Sequence, residues 1–255
     1  TTSETCTVVS PNNTSTAQSF PATTVPTFYR AVVSDGGGTV NSSIGIVGIH
    51  NYWTGATGID WNTAANWSDN QVPDISCSNV YIPNTVNKPV LSASPIATIN
   101  NLTIYVGAKL TINGTGHLQV KGAISNTGTF DVTNGMLEFN GPSQSVSGSI
   151  FLSRSVKDLV VSSSGTGLSV SNTPGDTLNI LGSLSVGNTM ATLSTGGNIT
   201  LKSSIAQSAS VGVLAAGNTI TGDVTVERYI ATGVGSAPTH GKSWQLLAIP
   251  TAGGK

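Results

Sequence analysis

Short triplets that alternate apolar and polar residues recur through the middle and later part of the chain. Most have the form apolar–polar–apolar, and their starts are commonly about six to ten residues apart. Alternation with a period of two predicts β-strands in which two side chains of each triplet point inward and one points outward. The triplets are residues 102–104, 110–112, 118–120, 130–132, 137–139, 159–161, 168–170, 178–180, 184–186, 199–201 and 224–226.

Three triplets together span about 20–22 residues, the repeat expected if each turn of a solenoid contributes three short strands. Glycines such as Gly107, Gly114 and Gly128 lie between triplets, where the chain must change direction. The pattern therefore predicts an all-β fold over residues 96–230, a parallel β-helix for which a right-handed path is the default. A β-sandwich of many short strands is the alternative.

Residues 1–50 are richer in Thr and Pro and contain two strand-like runs, 27–33 and 44–49. A glycine-rich turn at 35–38 separates these runs, which predicts a β-hairpin. Fifty residues with two or three strands make about half of a sandwich, so we expect the end of a β-domain here. Residues 231–255 are expected to begin a further segment.

Three of the four tryptophans, Trp53, Trp61 and Trp67, lie ahead of the first triplets, in a region 51–95 that also holds the first solenoid strands. Their spacing matches neither a helical stripe nor strand alternation, which indicates a compact aromatic cluster. The open end of a β-helix needs its apolar interior and unpaired edge covered, so we expect an aromatic N-terminal cap. The alternative is an exposed aromatic platform on which these three residues bind glycan.

Charge is scarce in this chain. Charged residues make up 8% of it, against about 25% in typical soluble domains, and the formal net charge is −1. Binding to a phosphate backbone needs clustered Lys and Arg, so a nucleic-acid partner is not expected. No apolar run approaches the ~20 residues of a membrane span. The chain starts at Thr1 without a basic-then-apolar leader, and we expect it to be a piece of a longer protein.

The tryptophan-rich segment resembles the opening of β-helical repeat regions in large exported cell-surface proteins of Bacteroidota. The likeness lies in Trp53-Thr54-Gly55, Asp60-Trp61, Asn66-Trp67 and Val80-Tyr81-Ile82-Pro83, and later in the Gly-Asp-Val-Thr-Val-Glu-Arg-Tyr-Ile run that starts at Gly222. Upstream, residues 27–34 resemble a late strand of the immunoglobulin-like repeats that often precede such regions.

This resemblance implies an extracellular, surface-attached substrate of the type IX secretion system, similar to gliding-motility adhesins. The implied partners are other domains of the same polypeptide, with surface glycans or the secretion and gliding machinery. The sorting signal of such proteins has no match in this chain. Asp176-Thr177-Leu178 matches the short context that is O-glycosylated in Bacteroidota, which makes Thr177 a candidate modification site.

Acid–base catalysis on a polysaccharide requires two carboxylates that converge on one groove. Asp131 and Glu138 are both outward residues of their triplets, but they should lie on successive strands of one turn and so on different faces. We therefore predict no catalytic pair and no enzyme. The acidic residues of the repeat region are Asp131, Glu138, Asp158, Asp176, Asp223 and Glu227.

No cofactor is expected, because His50, His117 and His240 are isolated and show no metal-ligand spacing. Asp60, Asp69 and Asp74 cluster near the tryptophans and are either ligands of a shared Ca²⁺ or caps of turns.

Cys6 and Cys77 are too few for a disulfide scaffold. They either form one bridge, which would contribute roughly 4 kcal/mol by closing a long loop, or remain two unrelated buried thiols.

A non-catalytic structural and adhesive role is the function that these features favour. A stack of turns with an apolar interior and a Thr, Ser and Asn exterior would form a stiff, nearly uncharged stalk that presents neighbouring modules or its own flank. A glycan-binding module and a polysaccharide lyase or hydrolase are the alternatives.

Overall fold

The computed structural model describes residues 50–93, 95–163, 167–187 and 190–229, together with the backbone of 32–34 and 39–41. Its parallel strands form a β-solenoid of about six turns with almost no helix. The parallel β-helix predicted from the triplets is therefore confirmed, and the β-sandwich alternative is wrong for this region. Three 3₁₀ turns interrupt the strands, at Ala64–Asn66, Gly148–Ile150 and Leu152–Arg154.

A short antiparallel hairpin precedes the solenoid. It joins β1 (Val32–Ser34) to β2 (Thr39–Asn41), with Val33 opposite Val40. β1 overlaps the predicted run 27–33 at Val32 and Val33, and its partner β2 begins at Thr39, ahead of the predicted second run 44–49. The predicted run 44–49, most of the residues expected to end an immunoglobulin-like domain and the segment 231–255 lie outside the described residues, so those predictions stay predictions.

One face of the solenoid, called the first face below, consists of two four-stranded parallel sheets that follow one another along the stack. The earlier sheet contains β3 (His50–Tyr52), β4 (Asn79–Ile82), β7 (Leu102–Ile104) and β9 (Ile124–Asn126). The later sheet contains β11 (Ser143–Val146), β13 (Gly167–Val170), β15 (Thr192–Ser194) and β18 (Thr219–Thr221).

A single nine-stranded sheet forms the other two faces. Its strands are β5 (Val90–Leu91), β6 (Ala97–Ile99), β8 (Lys109–Val120), β10 (Thr129–Phe139), β12 (Ser155–Val161), β14 (Leu178–Val186), β16 (Ile199–Leu201), β17 (Ser210–Val211) and β19 (Val224–Val226).

The long strands of this sheet differ from the sequence prediction. The triplets 110–112 and 118–120 were expected as separate strands, yet β8 contains both and pairs with β5 through its first half and β6 through its second. The corner between them includes Gly114, whose φ of 59° lies in the left-handed region that glycine tolerates. Hydrogen bonding continues round the corner into β10, with shifts in register, so two faces share one bent strand.

The inward residues of successive turns align to form a continuous core. Leu118, Leu137, Leu159 and Leu184 are direct partners from β8 to β14, and all are at most 1% exposed. Because adjacent strands lie about 4.8 Å apart, each side chain rests on those of the turns before and after. Full burial of such a side chain contributes about 1.5–3 kcal/mol.

Close backbone approach at the corners restricts which residues fit there. Gly141 is buried between β10 and β11, and a Cβ built on it would lie 1.9 Å from the Lys121 carbonyl oxygen of the turn before. Its N–H donates to Gln144 Oε1 at 2.6 Å, and the Gln144 amide donates to the Val120 carbonyl at 3.0 Å. The corner therefore holds two turns together through contacts that leave no room for a side chain.

We predict that Gly141→Ala lowers the free energy of unfolding by about 1–3 kcal/mol, because backbone must move to admit the methyl group. The matched control is Gly187→Ala at the same corner two turns later, where a Cβ meets nothing within 4 Å. This control should be neutral or slightly stabilising. Urea unfolding followed by circular dichroism measures both, and equal destabilisation would contradict the close-packed corner.

Candidate functional site

The three predicted tryptophans form a buried cluster at the first turn. Trp53, Trp61 and Trp67 are 1%, 0% and 3% exposed. Trp67 makes edge-to-face contacts with both others, at ring-centroid distances of 5.1 Å to Trp53 and 4.6 Å to Trp61. The cluster is therefore part of the core and leaves no ring face open. An exposed sugar-binding platform, the alternative considered for these residues, would require an open ring face.

Hydrogen bonds orient two of the three indoles. The Nε1–H of Trp53 donates to the Asn87 carbonyl at 2.7 Å, and that of Trp67 donates to the Trp61 carbonyl at 2.8 Å. The buried Nε1–H of Trp61 has no hydrogen-bond partner in the described part of the chain. A buried donor without a partner carries a desolvation cost, so the Trp61 side chain contributes through packing alone.

The aspartates near the tryptophans act in turns. Asp60 accepts hydrogen bonds from the Asn62 N–H at 3.2 Å and the Thr63 hydroxyl at 2.8 Å. These bonds cap a turn, which is one of the two roles expected for this residue from the sequence, the other being calcium binding. Asp69 accepts more weakly from the Gln71 N–H at 3.4 Å, and Asp74 is exposed. Within the described ranges, no group of three or more His, Cys, Asp or Glu residues is arranged to hold a metal ion.

Asp131 and Glu138 lie in β10 on opposite sides of its register shifts. Asp131 pairs in register with Thr111 in the first half of β8, and Glu138 pairs with Gln119 in the second half. Asp131 forms a 3.1 Å ion pair with Lys109 and accepts from the Thr133 hydroxyl at 2.8 Å. The two carboxylates thus have separate partners on separate faces.

Glu138 is the most elaborately bonded carboxylate. It is 8% exposed, its Oε2 lies 2.7 Å from His117 Nε2 without the alignment of a hydrogen bond, and its Oε1 accepts from the Gln119 amide at 2.8 Å and from the Ser162 hydroxyl. Burial opposes ionisation, but His117, Ser162 and Gln119 together outweigh it and lower the pKa of Glu138. The cluster therefore stabilises a charged carboxylate between three turns.

Of Cys6, Cys77, Thr177 and His240, the structure describes Cys77 and Thr177. Cys77 is half-buried, whereas Cys6 and His240 lie outside the described residues, so the disulfide stays a prediction. Thr177 is half-buried ahead of β14, and the neighbouring Asp176 accepts from the Ser149 N–H at 2.9 Å. The O-glycosylation of Thr177 stays a prediction.

An aromatic ladder that the sequence analysis missed runs along the first face. Tyr52 and Tyr81 are partners in register, with rings stacked at 4.8 Å and 19°, and Tyr105 stacks on Tyr81 at 6.4 Å and 19°. His50 Nδ1 lies 3.1 Å from the Tyr81 hydroxyl. Burial raises the pKa of Tyr81 above its ordinary value, and the neighbouring Tyr52 and Tyr105 raise it further, so the hydroxyl stays neutral at physiological pH. Tyr52 is 43% and Tyr105 41% exposed.

A shallow groove of about 570 Å³ lies on the later sheet of the same face. Its outward hydroxyls come from Ser145, Ser169 and Ser194, which are partners in register on three successive strands. The groove is lined further by Ile124, Val146, Ser147, Ile150, Val170, Ser171, Asn172 and Gly196. Its lining contains hydroxyl, amide and aliphatic groups and no charged side chain.

The sequence contains a positional signal for part of the tyrosine ladder. Tyr81 is the outward residue of the unit Val80-Tyr81-Ile82, and Tyr105 directly follows the triplet 102–104, whereas Tyr52 lies between Asn51 and Trp53 in no such unit. The tryptophans drew attention because they are rarer and larger. However, whether a residue occupies an inward or an outward position of its strand says more about its exposure than does its being aromatic.

Comparison with known proteins adds a family match without a function. Residues 52–164 match the family model described as a domain of unknown function, DUF8693. No curated protein and no solved structure matches the chain. The matched residues include the tryptophan cluster, the tyrosine ladder and Glu138.

We predict that Trp67→Phe is more destabilising than Trp61→Phe by about 1 kcal/mol. Both changes remove similar volume, but the first leaves the Trp61 carbonyl without its donor, whereas the second removes an indole N–H that has no partner. Thermal and urea unfolding compare the two variants. A larger loss for Trp61→Phe would contradict the assigned hydrogen bonds.

We predict that Glu138→Gln lowers the free energy of unfolding at neutral pH by about 1–3 kcal/mol. Because the folded pKa of Glu138 is lowered, its contribution is present above its unfolded pKa of about 4.3 and is lost as pH falls through the folded value. The difference between variant and wild type should therefore shrink in acid. Asp69→Asn on the exposed turn is the control, and a pH-independent difference for Glu138→Gln would contradict the charged cluster.

Proposed function

We propose that this chain is a non-catalytic structural and adhesive segment of a large extracellular cell-surface protein. In this role it is a stiff β-helical stalk that holds neighbouring modules away from the surface or presents its own flank. The proposal includes export by the type IX secretion system and a right-handed path of the helix, both carried over from the sequence analysis.

The observation that carries the proposal is the unbroken inward stack. Buried apolar side chains continue from Trp53 in the first turn to Leu201 in β16, and they belong to one core cluster. Turns that share one core bend little relative to one another, because any hinge would open apolar surface to water. A short rigid segment of this kind suits mechanical spacing and display.

The tryptophan cluster supports the proposal of an N-terminal cap. Trp53 and Trp67 form an isolated antiparallel bridge beside the parallel strands of the first turn. Beside this bridge the Ser68 N–H donates to the Tyr52 carbonyl of β3 at 2.9 Å, and the three indoles belong to the same core cluster as the later turns. We infer that the cluster closes the stack and hinders end-to-end association with another solenoid.

The partners of the acidic residues favour a structural role over the lyase or hydrolase alternative. Asp131 is held by Lys109 and Thr133, and Glu138 by His117, Gln119 and Ser162. A carboxylate that acts as acid or base must be able to reach a substrate proton. Both groups are instead engaged within the fold.

Surface shaving of the producing cells tests the proposed function. With an antibody raised against residues 50–229, we expect a surface-bound band several times larger than 25.8 kDa that protease treatment of intact cells removes. A free species near the mass of this chain, or a band that intact-cell proteolysis leaves untouched, would contradict the stalk. A reducing-sugar assay on common polysaccharides should show no turnover, and turnover that Glu138→Gln abolishes would establish an enzyme instead.

A further inference from the structure

Charge is distributed unevenly around the solenoid. The eight strands of the first face contain no Asp, Glu, Lys or Arg, and His50 is their sole titratable side chain apart from tyrosines in the described part of the chain. The nine-stranded sheet carries Lys109, Asp131, Glu138, Lys157 and Asp158 within its strands. The strands of the first face thus carry no charge in either four-stranded sheet, each about 14 Å across for strands about 4.8 Å apart.

Uncharged does not mean apolar on this face. Tyr52 is the single exposed large apolar side chain on its described strands, whose other outward positions are mainly Ser, Thr and Asn. Thr103 and Ser125 continue the row of Tyr52 and Tyr81 through the earlier sheet. The later sheet continues with the row of Ser145, Ser169 and Ser194 and ends at Thr221. Aromatic residues therefore stand at one end of a long row of hydroxyls.

The aromatic end is fixed before any ligand arrives. The Tyr52 ring is held against Tyr81 at 4.8 Å, and the Tyr81 hydroxyl lies 3.1 Å from His50. Side chains ordered in the free protein lose little conformational entropy when a ligand binds. Tyr52 and Tyr105 nevertheless leave more than two fifths of their surfaces exposed, so rings and hydroxyls are accessible.

We propose that the first face binds an extended, uncharged polysaccharide, with Tyr52, Tyr81 and Tyr105 as the aromatic contact and the serine-lined groove as the hydroxyl contact. Sugar rings present C–H faces that pack on aromatic rings and hydroxyls that both donate and accept, as Ser, Thr and Tyr hydroxyls do. This inference rests on the proposed adhesive function and names its ligand.

A protein partner fits the same face less well. Stable protein interfaces have an apolar centre with exposed aliphatic and aromatic anchors. Here the groove of about 570 Å³ has serine hydroxyls in register and no exposed large aliphatic residue on its strands. The strands of this face also lack charges that would attract an acidic or basic glycan.

Affinity electrophoresis of the full chain tests the proposal. The probes are soluble xylan, mixed-linkage β-glucan, galactomannan and starch as uncharged polysaccharides, with polygalacturonate and alginate as charged ones. We expect at least one uncharged polysaccharide to retard the protein. Raising NaCl from about 0.05 to about 0.5 M should not weaken this binding, because no ion pair is involved.

The variants locate the site. The double change Tyr52→Ser and Tyr105→Ser should weaken binding at least about tenfold, whereas Tyr52→Phe with Tyr105→Phe keeps most of it. Tyr229→Ser is the matched control, since Tyr229 is 49% exposed but follows β19 at the other end of the solenoid. Ser169→Lys in the groove provides an independent test and should also abolish binding. Circular dichroism and thermal unfolding establish that each variant is folded.

Four results would overturn the inference. The first is that no uncharged polysaccharide retards the protein, and the second is that binding is confined to the charged polysaccharides or is removed by salt. The third is that Tyr229→Ser weakens binding as much as the double tyrosine change does. The fourth is that light scattering detects self-association through this face. If no uncharged polysaccharide binds but surface shaving still finds a large surface-bound parent protein, the proposed stalk stands and only the proposed ligand is refuted. Binding by a protein that is not on the cell surface would refute the proposed function instead.

Discussion

Each turn of this solenoid must set its inward side chains directly on those of the turn before, and the rest of the structure depends on that alignment. Parallel strands about 4.8 Å apart leave no lateral freedom, because a slip by one residue would turn the whole inward row toward water. The aligned leucines at 118, 137, 159 and 184 show this constraint in one row. Corner glycines follow from it too, since tightly stacked turns bring backbone against backbone at Gly141.

Once the interior is fixed, the outward positions are free to differ from face to face. On the nine-stranded sheet they carry the few charges, and the resulting pairs, such as Lys109 with Asp131, join neighbouring turns. Glu138 does the same with partners from β8 and from the residue after β12. The first face received tyrosines and hydroxyls instead. Its lack of charge is therefore a property of the outward rows, independent of the core, and this independence allows the same scaffold to present a chemically distinct surface.

Much of this fold could be predicted because the period-2 pattern reports burial directly. The inward and outward assignment of the triplet 102–104 agrees with its buried, half-buried and buried residues. The merging of triplets into bent strands could not be predicted, since it depends on hydrogen bonds carried round corners such as that at Gly114. The tryptophans were expected in a compact cluster, with an exposed platform as the alternative, and packing does bury those rings. The exposed aromatic residues Tyr52 and Tyr105 were not singled out from the sequence. The stacking of Tyr52 on Tyr81 depends on strand register between separate turns, and a single triplet does not contain that information.

Native-state hydrogen exchange tests the central claim that one apolar stack holds all three faces rigid. Amides of the first-face strands β7, β9, β11 and β13 should exchange as slowly as those of β8, β10, β12 and β14, with protection close to the global free energy of unfolding. Exchange of the first-face amides that is faster by orders of magnitude, with the other faces still protected, would contradict the account. It would mean that the uncharged face is a loosely attached layer that the core does not hold in place.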